Sequence, residues 1–159
     1  MKRFAPLVCV LASALVMVGG AQAGSEDDHG CAPVHAVGIG QDLGGGNTTA
    51  TISHGGRLNG TTVGSFAISG APPVFNIDGT VVFTTKGGGT LTATVSGTFN
   101  VLTGAFTASG PVSGGTGNLA GTTGILTFTG VENFAPRVFT ETITGTLCKA
   151  GDGDDGEDD

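Results

Sequence analysis

Gly114-Gly115-Thr116-Gly117-Asn118-Leu119-Ala120-Gly121-Thr122-Thr123-Gly124-Ile125-Leu126-Thr127-Phe128-Thr129-Gly130 is the stretch that decides the fold. It reads as a glycine turn, a short polar bend and a strand. Glycines 114, 115 and 117 permit positive φ and close backbone approach, as a tight corner between strands requires. Beyond Gly124, Leu126 and Phe128 point to one face while Thr127 and Thr129 point to the other, the period of a half-buried strand.

The same alternation extends in both directions. Upstream, Leu91, Ala93, Val95, Gly97 and Phe99 share a face opposite Thr90, Thr92, Thr94, Ser96 and Thr98. Phe106, Ala108 and Gly110 continue that apolar face after a turn at Thr103-Gly104. Downstream, a loop with Asn133 and Pro136 leads into a last strand from Arg137 to Leu147. Its inner positions are Phe139, Glu141, Ile143, Gly145 and Leu147. Earlier strands are expected at Val34–Gln41, Asn47–His54 and Leu58–Ile68, with Gly44-Gly45-Gly46 as the first turn and Asn59-Gly60 as an alternative start for the third. Gly70-Ala71-Pro72-Pro73 interrupts pairing. Asp78-Gly79, between Phe75-Asn76-Ile77 and Val81-Val82-Phe83, predicts a type I′ hairpin, and Gly87-Gly88-Gly89 a further turn. Glycine, 31 residues of the chain, and frequent threonine disfavour helices. The expected fold is all-β, about eight strands joined mostly as a meander. One apolar and one threonine face close most readily into an antiparallel barrel, which leaves no exposed edge.

The ends of the chain carry different information. Lys2-Arg3, an apolar run from Phe4 to Gly20 and Ala21-Gln22-Ala23 form an export signal with a small-x-small cleavage site. The expected partition is signal peptide 1–23, acidic segment 24–32, barrel 33–148 and acidic tail 149–159. The net charge of −7 belongs to the ends, because Asp42, Asp78, Glu132 and Glu141 balance Arg57, Lys86, Arg137 and Lys149 in the body. With no Trp, no Tyr and no basic patch, nucleic acid is not an expected partner. Nor is a membrane after signal cleavage, since threonine faces outward and no Trp or Tyr girdle is available. Cys9 leaves with the signal, and Cys31 and Cys148 bracket the patterned region. An oxidising compartment, periplasmic or extracellular, favours a disulfide between them. The rival is a metal site from Asp27, Asp28, His29, Cys31 and His35, which matches no established ligand spacing.

The chain resembles the allene oxide cyclase and dirigent proteins over roughly residues 80–147. That family has a Gly-Gly-Thr-Gly turn, an aromatic two residues on, a small residue three further and then a glycine before a strand. Gly114-Gly115-Thr116-Gly117 and Gly124 match, while Leu119 stands in the aromatic position and Thr122 in that of the small residue. The resemblance implies an eight-stranded, calycin-like barrel whose apolar cavity holds a small hydrophobic or phenolic molecule. In the family's enzymes that cavity steers a cyclisation, and in the dirigent proteins a radical coupling. No catalytic residue of the family falls on a matching position.

Three side chains are candidates for chemistry in a cavity. Glu141 shares the face of Phe139, Ile143 and Leu147, so its carboxyl is expected inside, as a cavity acid or a ligand contact. Near the barrel mouth, or paired with Arg57, Lys86 or Arg137, it would be an ordinary solvated or ion-paired acid. His35 and His54 lie on or beside strands and are the next candidates to join it. No serine-hydrolase or dinucleotide motif is present. Gly151-Asp152-Gly153-Asp154-Asp155-Gly156 lacks the order of an EF-hand loop, and no cofactor is expected. The function expected from these readings is an exported, non-catalytic barrel that binds a small hydrophobic ligand or serves as a stable domain. The alternatives are an allene-oxide-cyclase-like isomerase and a surface that recognises glycan or ice through threonine rows.

Overall fold

A computed structural model describes residues 30–149. The expected signal peptide and most of the expected acidic N-terminal segment and C-terminal tail lie outside the described residues. Eight strands run in chain order: β1 (Cys31–Gly44), β2 (Asn47–Ser53), β3 (Gly60–Ala71), β4 (Val74–Thr85), β5 (Thr90–Asn100), β6 (Ala105–Gly115), β7 (Thr122–Asn133) and β8 (Val138–Lys149). Each pairs antiparallel with the next, and β8 pairs back onto β1, so the sheet closes as a meander barrel. The expected architecture is the one observed. Closure pairs every edge strand, the reason a threonine-rich sheet can stand as a single layer around its own core.

One expected hairpin is absent. Asp78-Gly79 lies within β4, which continues from Val74 to Thr85, with Asp78 opposite Ala67 and Ser96 and Gly79 opposite Phe66 and Val95. The glycine serves strand packing there. A Cβ at Gly79 would collide with the Ser65 carbonyl and approach the Phe66 ring to 2.8 Å. The turn falls instead at Pro72-Pro73, where ring closure removes backbone donors that a continuing strand needs.

The glycine segment that decided the fold has three separate jobs. Gly114, at φ 60°, is the extra residue of a β-bulge, since Leu91 faces Gly115 while Thr92 faces Ser113. Gly117, at φ 57°, opens a short 3-10 turn (Gly117–Leu119) that buries Leu119. Thr116 holds the corner to β5, its Oγ1 accepting from the Thr90 N–H at 3.1 Å. A second 3-10 turn (Gly56–Leu58) brings Leu58 to the same end of the barrel. These two leucines plug that end, each 1% exposed.

Above the plug the interior is packed. Phe83, Leu91, Leu126 and Ile143 have no measurable exposure, and Phe83 and Phe128 meet with ring centroids 6.2 Å apart. Cys31 and Cys148 are direct cross-strand partners joined by a disulfide, which locks the seam between first and last strands. The bond fits an oxidising, extracytoplasmic environment. It also engages the thiolate that the rival metal reading required.

Candidate functional site

The opposite end of the barrel is open. There the inward positions of several strands carry glycine: Gly38 and Gly40 on β1, Gly64 on β3 and Gly130 on β7. Added Cβ atoms at Gly38 and Gly64 would meet Glu141 and Thr48 with Phe66, and at Gly40 and Gly130 they would strike the Phe139 and Phe106 rings together with the Thr49 and Thr140 carbonyls. The missing side chains therefore make room for larger ones to lie flat, Glu141, Phe139 and Phe106 across a neighbouring strand and Phe66 along its own. What remains between those side chains is a cavity of about 250 Å³, walled by Phe66, Phe99, Phe106 and Phe139. Phe106 and Phe139 meet edge-to-face at 5.8 Å, and Phe134 from the β7–β8 loop leans on Phe99 at the mouth.

Glu141 sits in this wall. Its cross-strand neighbours are Gly38 and Gly130, so both flanks of the side chain are clear. A Cβ at Gly38 would lie 2.5 Å from Glu141 Oε1. Among the described residues the carboxyl has no hydrogen-bonding or ion-pairing partner. Burial among apolar groups pushes its pKa up from 4.5 to about 7. The side chain is thus a carboxyl group poised between acid and carboxylate, set into an aromatic wall.

Three charged residues ring the opening. Arg137 donates from Nη2 to Asp42 Oδ2 at 2.8 Å, and the Asp42 N–H donates to the Arg137 carbonyl at 3.0 Å. Asp42 is held by the bulge at the end of β1, where its Oδ1 accepts from the Gly44 N–H at 2.8 Å. Glu132 lies beside the pair. Its pKa is raised chiefly by burial and further by the Asp42 charge, with Arg137 opposing both. All three line the same cavity as Glu141. Sequence reasoning named Arg137 only as a possible partner of Glu141 and did not single out the two acids, although alternation carries the signal: Asp42 keeps the parity of Ala36, Gly38 and Gly40, and Glu132 that of Leu126, Phe128 and Gly130.

The histidines are elsewhere. His35 lies on the outer face of β1 opposite Thr144, and His54 sits at φ 60° just beyond β2, its Nδ1 3.2 Å from Ser53 Oγ. Both border a second depression of about 420 Å³ beside the plugged end, with Arg57 and Thr122. That depression is larger in volume, yet the packed core separates it from Glu141. Arg57 and Lys86 also belong to loops of the plugged end, so neither pairs with Glu141. Of the three sequence candidates, only Glu141 reaches the open cavity.

Compared with known protein families, with curated proteins and with solved structures, the chain matches none.

Proposed function

We propose that this protein is an exported barrel that binds a small, largely apolar molecule at its open end and carries out no reaction on it. The observation that carries the reading is the phenylalanine-walled cavity with the unpaired Glu141 carboxyl set in its wall, an apolar recess with few polar groups of the kind that fixes a ligand's orientation. The export signal and the Cys31–Cys148 bond support a secreted or periplasmic location. The resemblance to allene oxide cyclase and dirigent proteins, in which such a barrel encloses a hydrophobic or phenolic molecule, supports the same reading. The direct test is mass spectrometry of small molecules released from the natively exported, oxidised protein. A defined apolar species at near-stoichiometric amount is expected. Its absence from wild-type protein, together with failure of apolar fluorophores to bind, would leave only a structural domain.

A cyclase reading is favoured by one observation, the carboxyl raised to about 7, which suits proton donation to an epoxide oxygen. Against it stands the lack of any group to orient that carboxyl among the described residues. Turnover of an unsaturated epoxide, lost in Glu141→Gln, would decide for the enzyme. The threonine rows favour recognition of ice or glycan less. Thr98, Thr107, Thr129 and Thr142 do align across β5 to β8, but four of eight strands wrap half of a closed barrel, so the row curves away from any flat lattice.

A further inference from the structure

We infer that the molecule recognised by the open cavity carries a protonated amine, with Glu141 as its counter-ion and the phenylalanine rings as the walls around its apolar body. The inference rests on the ligand-binding reading above and adds the chemical class.

Charge at the open end points this way. Asp42 and Arg137 neutralise one another across 2.8 Å, which leaves Glu132 at the rim and Glu141 in the wall without cationic partners of their own. The four bases of the body are unevenly placed: Arg57, Lys86 and Lys149 lie towards the plugged end, and only Arg137 lies at the mouth. The elements flanking Glu141 contribute Gly38 from β1 and Gly130 from β7, so no side chain beside it supplies a compensating charge. An anionic ligand would face two carboxyl groups across an apolar gap. A neutral ligand would leave Glu141 desolvated and unpaired, a costly arrangement. An ammonium group brings the missing positive charge and three donors, and it is attracted to the faces of the surrounding rings as well. An unpaired acid in an aromatic wall is a poor way to stabilise a fold and a good way to select a cation.

The recognition is an ion pair and needs no covalent step. It requires the carboxylate form of Glu141, so amine affinity rises as the pH climbs through neutrality while the amine itself stays protonated. Asp42, Glu132 and Arg137 are the other titratable or charged groups facing the cavity, and Asp42 and Arg137 are paired with one another.

The test is calorimetric titration of the full-length, oxidised protein at about pH 8 with three probes of matched shape, phenethylamine, phenethyl alcohol and hydrocinnamate. The amine should bind about tenfold or more tightly than the alcohol, the scale of a charge-assisted hydrogen bond, and the carboxylate should bind worst. In Glu141→Gln the amine should fall to the level of the alcohol. In wild-type protein the preference should shrink at about pH 5, which supplies the same information should the variant fail to fold. Equal binding of amine and alcohol would overturn the inference while leaving the apolar pocket intact. A preference that survives in Glu141→Gln or ignores pH would overturn it too. If no probe binds, and a neutral naphthyl fluorophore also fails, the amine inference and the ligand-binding reading fall together.

Discussion

In the packed half of the barrel, Gly60, Gly110 and Gly124 stand where the backbone of the adjacent strand comes so close that a Cβ would strike a carbonyl oxygen. Near the mouth, Gly38 and Gly64 stand where a Cβ would strike only side chains, and at Gly40 and Gly130 it would strike a phenylalanine ring as well as a strand carbonyl. The first kind of glycine lets strands coil tightly around a core, and the second clears a bed for one large side chain. The same residue thus closes one half of the molecule and opens the other. Stability should accordingly reside at the plugged end, and recognition at the mouth.

The largest effect expected from that division concerns the seam beside the plug. Removing the disulfide as Cys31→Ser with Cys148→Ser frees a loop spanning 117 residues. On the chain-entropy account it should cost about 4–5 kcal/mol in urea denaturation. A loss below about 1 kcal/mol would show that the hydrogen-bonded seam holds without the bond. Next come the two kinds of phenylalanine. Phe83 is wholly buried, and Phe83→Ala should cost about 3–5 kcal/mol through lost transfer energy and the cavity left behind. Phe99, half-buried at the mouth, should cost no more than about 1–2 kcal/mol as Phe99→Ala, with ligand affinity falling more than stability. Equal losses in the two variants would erase the distinction between a structural half and a binding half.

The pH dependence of stability tests the mouth alone. Burial raises Glu141 from 4.5 to about 7 in the folded chain, so between those values the native state holds a proton that the unfolded chain has released. Stability contributed by the neutral carboxyl is therefore complete below 4.5 and disappears as the pH rises to about 7. Glu132 is shifted in the same direction and adds to the slope. Glu141→Gln should flatten most of it and raise stability at about pH 8 by on the order of 1–3 kcal/mol. A slope unchanged in that variant would mean that the carboxyl is well solvated in the folded protein.

Why the barrel was legible in the sequence and the site only partly so follows from what alternation encodes. Leu91 to Phe99 and Phe139 to Leu147 state their inward face plainly, because a one-residue slip would bury threonines and expose the core. Asp78-Gly79 misled because a turn dipeptide and a packing glycine look alike until the neighbouring strand is in place. Glu141 was visible as a charge on an apolar face. Its isolation from His54 was not, since parity within a strand says nothing of height along the barrel axis, and His35 proved to lie on the outer face of β1. Phe106 and Phe139 were legible only as residues of an inward apolar face for a related reason: each becomes a cavity wall because a neighbouring strand carries glycine at the level of the ring.

The smallest effect expected is also the sharpest comparison of the two glycine types. At Gly110 an added methyl meets the Thr94 carbonyl, and a backbone atom cannot swing aside as a side chain can, so Gly110→Ala should cost about 1–3 kcal/mol. At Gly38 the obstruction is the end of the flexible Glu141 side chain, and Gly38 has no positive φ to forbid alanine. Restricting the unfolded chain by that substitution gains about 0.4–1 kcal/mol, which offsets the cost of turning the carboxyl aside. Gly38→Ala should therefore leave stability at neutral pH within about 1 kcal/mol of wild type. It should nonetheless push the carboxyl towards solvent, lower its pKa towards the ordinary range and flatten the pH slope much as Glu141→Gln does. If Gly38→Ala destabilises the protein as much as Gly110→Ala, both glycines serve backbone packing, and the mouth is only the core's unfinished end.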